Sequence, residues 1–192
     1  GQYSEENIRS AYTSDILQRT AISRRLRVVI DAGNGCASEI APAIFRSLGC
    51  EVTPLFCEVD GTFPNHLPDP TVARYMHDLI SKVKETGADI GIGYDGDADR
   101  IGVVDDKGRI VEGDRLLALF ARDVLTRVPG AEIIFDVKCS QALPEDIARH
   151  GGKPVMWKTG HSLIKAKMKE TGAPLAGEMS GHIFFSEGFH GY

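Results

Sequence analysis

A seven-residue pattern occurs twice in this chain and sets the strongest limit on its fold. The sequence Lys-x-Lys-Glu-Thr-Gly-Ala occupies residues 82–88 and again residues 167–173. Each copy closes a helical pattern and is followed by a short strand, a loop with a carboxylate and glycines, and a second strand. Because both the sequence and the order of elements match, we predict two related modules. We place their boundary near residues 108–113, which gives predicted domains of residues 1–109 and 110–192.

Strand and helix patterns alternate along both halves, which is typical of the α/β class. The sequence predicts two three-layer α/β modules with mixed sheets, the second one incomplete because no helix pattern follows its last strand. A first helix is predicted over residues 4–20, with Ser4 as its cap. Pro54 interrupts a strand pattern and indicates a sheet edge or a bulge, since proline cannot donate to a strand ladder.

Composition narrows the class of protein without identifying it. Hydrophobic residues make up 42% of the chain and charged residues 26%, which is ordinary for a folded globular protein. The formal net charge of -5 provides no general attraction to nucleic acid or to an anionic membrane. No apolar run approaches the ~18 residues of a membrane span, and the polar start lacks the core of a signal peptide. We therefore predict a cytoplasmic protein with a small-molecule partner.

The segment GYDGDADR, residues 93–100, places Asp95, Asp97 and Asp99 within five residues. At roughly 5 Å, like charges repel by about 1 kcal/mol in water and by several times more at lower dielectric, so a compensating cation is expected. A calcium EF-hand does not fit, because its sixth and twelfth positions hold arginine and aspartate here and its flanks are strands. The cluster suits Mg²⁺, and Arg100 beside it suits a phosphate. The alternative is a solvated acidic turn.

The segment GEMSGH, residues 177–182, combines a carboxylate, a hydroxyl and an imidazole between two strand patterns. It lacks the G-x-S-x-G spacing of a serine nucleophile. Glu178 and Ser180 suit hydrogen bonds to a polyol, and a structural turn with an exposed Glu and His is an equally good interpretation. The segment DAGNG, residues 31–35, lacks the third glycine of a dinucleotide fingerprint, so we interpret it as a turn that opens a helix.

Six motifs together resemble the α-D-phosphohexomutases, and most closely the bacterial phosphomannomutase/phosphoglucomutase branch. They span almost the whole chain, and they are DAGNG, FPNHLPDP, GYDGDADR, DVKCS, KTGHSLIKAKMKETGA and GEMSGH. The resemblance implies an enzyme of four domains, of which this sequence looks like the second and most of the third. The implied partners are a phosphosugar and the missing first and fourth domains, with no nucleic acid and no membrane.

The resemblance also implies the roles of the acidic loop. In such enzymes Asp95, Asp97 and Asp99 correspond to the ligands of Mg²⁺, the implied cofactor. Arg100 corresponds to a catalytic residue at the phosphoserine site. The resemblance implies that a bound ion and Arg100 would neutralise charge on the transferring phosphate.

Five further residues are assigned by the same resemblance. Glu178 and Ser180 are implied to hold sugar hydroxyls, and His182 is implied to be a substrate-binding residue near the sugar phosphate. Lys138 and His161 are implied to approach the sugar phosphate as catalytic residues, and either can assist proton movement at the sugar hydroxyl. Without the resemblance, Lys138 reads as a surface lysine at a strand end and His161 as the first residue of a helix.

The implied reaction interconverts hexose 1-phosphate and hexose 6-phosphate through a 1,6-bisphosphate and an enzyme phosphoserine. The serine loop of such enzymes does not occur in this sequence, so we expect this chain alone to bind metal weakly and to be inactive. Met179 is typical of the mannose/glucose branch, whereas phosphoglucosamine mutases, the nearer alternative, usually have glutamine there. The further alternative is a non-catalytic α/β module that binds Mg²⁺ or a nucleotide.

Overall fold

The computed structural model describes residues 1–187, and within that range it has nine strands, six α-helices and one 3-10 helix. In chain order these are α1 (Arg9–Arg19), β1 (Arg27–Asp31), α2 (Ala37–Ser47), β2 (Glu51–Leu55), the 3-10 helix (Ala73–Met76), α3 (His77–Thr86), β3 (Ile90–Tyr94), β4 (Ile101–Asp105), β5 (Ile110–Val111), α4 (Gly113–Arg127), β6 (Glu132–Asp136), α5 (Ala142–Arg149), β7 (Lys153–Trp157), α6 (His161–Thr171), β8 (Leu175–Gly177) and β9 (Ile183–Phe185). The chain divides into a first unit of residues 1–98 and 104–109 and a second unit of residues 99–103 and the chain from Ile110 onward. No helix in the described range is long and apolar enough to cross a membrane.

The first sheet has the strand order β2-β1-β3-β4-β5. Its interior strand β1 is parallel to both β2 and β3, and Val28, Val29 and Ile30 of that strand are almost completely buried. A continuous apolar run is expected in a parallel strand that is covered on both faces. Strands β1 and β3 run in the same direction. The residues that follow them, including the acidic loop after Tyr94, therefore lie together at the carboxyl ends of these strands.

The second sheet has the order β7-β6-β8-β9, in which β6 is parallel to β7 and β8, and β9 is antiparallel to β8. Successive residues of β6 point to opposite faces. Ile133 and Phe135 join a core with α4 and α5, whereas Ile134 joins a core with Ile164 and Met168 of α6. Helices therefore cover both faces of the sheet, which makes this unit a three-layer α/β module as predicted.

The two modules share their construction, which confirms the prediction from the repeat. The sheet orders β2-β1-β3-β4 and β7-β6-β8-β9 follow the same path through the chain. Helices α3 and α6 both end at a left-handed glycine, Gly87 with φ 62° and Gly172 with φ 72°. In the repeated sequence, Lys82 pairs with Glu85 at 2.7 Å and Lys167 pairs with Glu170 at 2.6 Å.

The start of the first helix differs from the prediction. Helix α1 begins at Arg9 rather than near Ser4, and Ile8 is its N-cap residue. The side-chain oxygen of Asn7 accepts a hydrogen bond of 3.1 Å from the amide of Arg9, so an Asx turn precedes the helix. Since α1 buries none of its residues, no core packing extends the helix toward Ser4.

The position of Pro54 is the predicted one, because β2 is an edge strand of the first sheet. The second module repeats this feature, since Pro154 lies in β7, an edge strand of the second sheet. A proline removes one backbone donor from the exposed ladder and thereby discourages pairing with another chain.

Candidate functional site

The acidic loop connects β3 to β4 and holds three carboxylates close together. One oxygen from each of Asp95, Asp97 and Asp99 lies within 4.8 Å of the others. Asp95 is buried, whereas Asp97 and Asp99 are exposed. Oxygen donors from carboxylates with an open side suit a hard divalent cation that keeps water or phosphate in its remaining positions.

The backbone of the acidic loop is tightly turned. Ala98 has a φ of 63°, and its amide donates a hydrogen bond of 3.2 Å to the carbonyl of Asp95. The left-handed conformation is uncommon for a residue with a Cβ atom. The residue at this left-handed position therefore has a small side chain, and the turn brings the carboxylates on either side of it close together.

The segment DAGNG supports the acidic loop from within the first unit. The amide of Cys36 donates a hydrogen bond of 2.9 Å to the carbonyl of Gly96. A Cβ atom on Gly35 would lie 2.6 Å from the same carbonyl oxygen, so only glycine allows this approach. The predicted turn does open helix α2, and the structure shows in addition that it packs against the acidic loop.

Asp31 and His66 form a second, buried contact in the first unit. Nε2 of His66 lies 3.1 Å from Oδ2 of Asp31, and its Nδ1 lies 2.9 Å from the carbonyl of Leu67. Burial raises the pKa of Asp31, and the amide of Gly33 and the ring of His66 act against that rise. His66 therefore shapes the segment FPNHLPDP through its contacts with Asp31 and with the carbonyl of Leu67.

The GEMSGH loop joins β8 to β9 and centres on buried Glu178. Oε1 of Glu178 accepts a hydrogen bond of 2.6 Å from the amide of Gly160, and Oε2 lies 2.6 Å from Nδ1 of His182. The hydroxyl of Ser180 lies 3.2 Å from the same ring nitrogen. The three polar side chains therefore form one connected cluster rather than a turn with exposed Glu and His.

His182 also contacts the end of the acidic loop, within the second unit. Its Nε2 lies 3.1 Å from Oδ1 of Asp99 and 3.4 Å from Nε of Arg100. A ring nitrogen that bears hydrogen donates to the carboxylate, whereas a bare nitrogen accepts from the arginine. A doubly protonated ring donates to Asp99 and Glu178 together.

The remaining two predicted residues lie on neighbouring loops. His161 is the exposed first residue of α6, and its ring centroid is 6.1 Å from that of His182. The structure thus places His161 beside the Glu178 cluster. Lys138 is exposed on the turn after β6, and in the part of the chain that the structure describes no hydrogen bond or ion pair joins its side chain to that cluster.

Sequence reasoning missed Asp136, which has no exposed surface. Oδ1 accepts hydrogen bonds from the amide of Met179 at 3.1 Å and from the thiol of Cys139 at 3.2 Å. Oδ2 accepts a hydrogen bond from the hydroxyl of Thr159 at 3.0 Å. The available signal was a carboxylate that closes the apolar strand EIIFD. Burial raises the pKa of Cys139, so its thiol remains a donor rather than a nucleophile.

The fold and these loops define an α/β protein of two related modules, with a cluster of three carboxylates in the acidic loop and a connected polar cluster around Glu178. Residues 10–108 match the family model described as phosphoglucomutase/phosphomannomutase, alpha/beta/alpha domain II. Residues 112–191 match the model of domain III of the same family. The chain therefore belongs to the phosphoglucomutase/phosphomannomutase family, as the sequence motifs indicated.

Curated relatives and solved structures agree with this assignment. The chain is 58% identical over its whole length to a phosphomannomutase/phosphoglucomutase of Pseudomonas putida and 51% identical to a phosphoglucomutase of Neisseria meningitidis. A crystal structure of a phosphoglucomutase/phosphomannomutase family protein from Burkholderia thailandensis covers the whole chain with a TM-score of 0.97 and 50% identity. In each case the chain spans 42% of the length of the relative.

Proposed function

We propose that this chain supplies the metal-binding and sugar-binding domains of a phosphohexomutase that interconverts the 1-phosphate and 6-phosphate of mannose or glucose. The carrying observation is the cluster in which Glu178, Ser180 and His182 lie beside Asp99 at the end of the acidic loop. The high identity to named mutases over the whole chain supports the same proposal. We further propose that residues 1–109 and 110–192 are the second and third domains of that enzyme.

Three carboxylates of the acidic loop are the proposed ligands of Mg²⁺. Their oxygens fit a hard cation, because Asp95, Asp97 and Asp99 bring them within 4.8 Å of one another on a single short loop. When bound, the ion supplies neutralisation of the charge that develops on a transferring phosphoryl group. The enzyme phosphoserine is proposed to lie outside this chain.

Arg100 and the GEMSGH loop are proposed to bind the two ends of a sugar phosphate. The guanidinium of Arg100 has the fork geometry that holds phosphate oxygens. Oε2 of Glu178 already accepts from His182 and Ser180, whereas Oε1 accepts only from the amide of Gly160, so a lone pair of Oε1 can also accept from a sugar hydroxyl. Ser180 adds a hydroxyl that donates or accepts.

Lys138 and His161 are proposed to approach the sugar phosphate from the neighbouring loops. Both side chains are exposed and are therefore accessible to a substrate. Either one can hold or move a proton at the reacting sugar hydroxyl. The proposed location is cytoplasmic.

A coupled assay of the parent protein that contains these residues tests the proposal. Glucose 1-phosphate and mannose 1-phosphate are supplied with Mg²⁺, and formation of the 6-phosphates is followed. We expect turnover with both sugars and a loss of at least ~100-fold when Asp95 and Asp97 are both changed to asparagine. Asp106→Asn, an exposed acid in the next turn, is the matched control and should retain activity.

Two outcomes would contradict the proposal. Turnover of glucosamine phosphate in preference to the two hexose phosphates would favour the phosphoglucosamine mutase alternative. Absence of turnover with every phosphosugar, together with retained Mg²⁺ binding, would favour a non-catalytic module. The 192-residue chain alone is expected to be inactive, and measurable turnover by it would show that the serine loop is not required.

A further inference from the structure

Asp136 occupies the carboxyl end of β6, the strand that lies between two parallel neighbours in the second sheet. This end of a central parallel strand is where loops from several strands converge. The side chain has no exposed surface, and a buried carboxylate is tolerated only where hydrogen bonds compensate its lost hydration. Asp136 has three such donors.

The three donors belong to three different loops. Cys139 lies in the turn after β6, Thr159 lies in the segment after β7, and Met179 lies in the loop after β8. Each loop carries residues of the proposed site: Lys138 precedes Cys139, and His161 follows Thr159 by two positions. Met179 stands between Glu178 and Ser180.

Two further hydrogen bonds hold the same loops, one between two of them and one to helix α4. Oε1 of Glu178 accepts from the amide of Gly160, which ties the loop after β8 to the segment after β7. Oδ2 of Asp114 in α4 accepts from the amide of Ser140 at 2.9 Å, which holds the turn after β6. Asp136 is the residue of this network that contacts all three loops.

The first module has a carboxylate at the equivalent place. Asp31 is the last residue of β1, which like β6 lies between two parallel neighbours, and it is also buried. It accepts from the amide of Gly33 and contacts the ring of His66, so it joins the DAGNG turn to the FPNHLPDP segment. The same position therefore anchors loops in both modules.

We infer that Asp136 is a positioning residue that sets the relative placement of the three loops bearing Lys138, His161 and Glu178. It acts through the loops and does not itself touch substrate. The inference that this placement serves a sugar phosphate rests on the proposed function.

Amide hydrogen exchange, followed by NMR on the 192-residue chain, tests the positioning role directly. In Asp136→Ala the amide of Met179 loses its acceptor, and we expect it to exchange about tenfold faster or more. Asp136→Asn keeps an acceptor for Met179 and gives Thr159 a donor, so exchange should return close to the unsubstituted rate. Asp146→Ala is the matched control, because it removes another nearly buried carboxylate of the same unit whose hydrogen bonds come from Arg122 of α4.

Equal exchange of Met179 in Asp136→Ala and in the unsubstituted chain would overturn the inference, and so would an equal acceleration in Asp146→Ala. If Asp136→Ala does not fold, Thr159→Val decides, because it removes one hydroxyl donor from Asp136 at nearly constant volume. The amide of Gly160 should then exchange several times faster, and an unchanged rate would overturn the inference.

A kinetic comparison in the parent protein separates this inference from the proposed function. Asp136→Ala should lower kcat/KM for a hexose phosphate by about 100-fold, and Asp136→Asn should restore most of it, because displacement of positioning loops costs on that order. If the unsubstituted parent protein shows no mutase turnover, the proposed function fails, while the exchange data still decide whether Asp136 orders the loops.

Discussion

Nε2 of His182 lies 3.1 Å from Oδ1 of Asp99, and its other ring nitrogen lies 2.6 Å from Glu178. One imidazole thus connects a proposed metal ligand to a proposed sugar-binding residue. The ring is nearly buried, with a side-chain exposure of 10%. Burial restricts the ring, so its Nε2 offers the half-exposed Asp99 carboxylate a partner at a fixed position.

Replacement of His182 by alanine is expected to weaken Mg²⁺ binding by about tenfold, because residues that orient a ligand carboxylate contribute at this level. Isothermal titration of the parent protein with Mg²⁺ measures the effect, because the 192-residue chain alone is expected to bind the ion weakly. His150→Ala, which removes a partly exposed imidazole bound to the backbone of α5, is the control and should bind as the unsubstituted chain does. Equal affinities in all three proteins would exclude a role for His182 at the metal loop.

Replacement of Gly35 by alanine is expected to destabilise the first unit by about 1–3 kcal/mol, because the new Cβ atom would lie 2.6 Å from the carbonyl oxygen of Gly96. Hydrogen exchange of buried β1 amides such as that of Val29 reports the stability of this unit. Gly61→Ala is the control, since no atom lies within 4 Å of its added Cβ. A similar small effect for both substitutions would mean that the DAGNG turn does not support the acidic loop.

Much of the fold followed from local patterns in the sequence. The repeat around residues 82–88 and 167–173 indicated two modules, because its glycines sit where each helix must end in a left-handed residue. Pro54 indicated an edge strand through its missing backbone donor. In both cases the physical cause acts within a few residues, so a local sequence pattern is enough to predict the structure.

The relations that define the candidate site are not local. Asp99 and His182 are 83 positions apart, and Met179 lies 43 positions from Asp136. Only the pairing of β6 with β8 brings the last two together, and sequence patterns do not specify that partner. The early start predicted at Ser4 failed for a related reason, since α1 has no buried face that would select its length.

Replacement of Ala98 by glycine is expected to stabilise the acidic loop. Ala98 has a φ of 63°, and the left-handed conformation costs an L-residue roughly 1–2 kcal/mol of strain. Glycine removes this strain but loses more backbone entropy on folding, so about half of the strain energy is expected as a net gain. We therefore expect a gain of about 0.5–1 kcal/mol, measured as slower hydrogen exchange of the Ile92 and Val104 amides that flank the loop. A loss of protection at these amides would mean that the methyl group of Ala98 makes a packing contribution larger than its strain.

The ion pair of Asp146 with Arg122 is expected to make the stability of the second unit depend on pH. Nε and Nη2 of Arg122 donate to the two carboxylate oxygens at 2.8 and 2.7 Å, and these hydrogen bonds lower the pKa of Asp146. A carboxylate whose pKa is lower in the folded state contributes stability above its unfolded pKa, and this contribution is lost as the pH falls through the folded value. Asp146→Asn should therefore cost more stability at pH 7 than at pH 3.

Urea unfolding followed by tryptophan fluorescence measures this difference, because Trp157 in β7 is the single tryptophan of the sequence and reports on the second unit. Glu145→Gln, an exposed neutralisation one position earlier in α5, is the matched control and should change stability little at either pH. An equal loss of unfolding free energy in Asp146→Asn at pH 3 and at pH 7 would refute the lowered pKa of Asp146. It would mean that protonated Asp146 binds Arg122 as strongly as the carboxylate does.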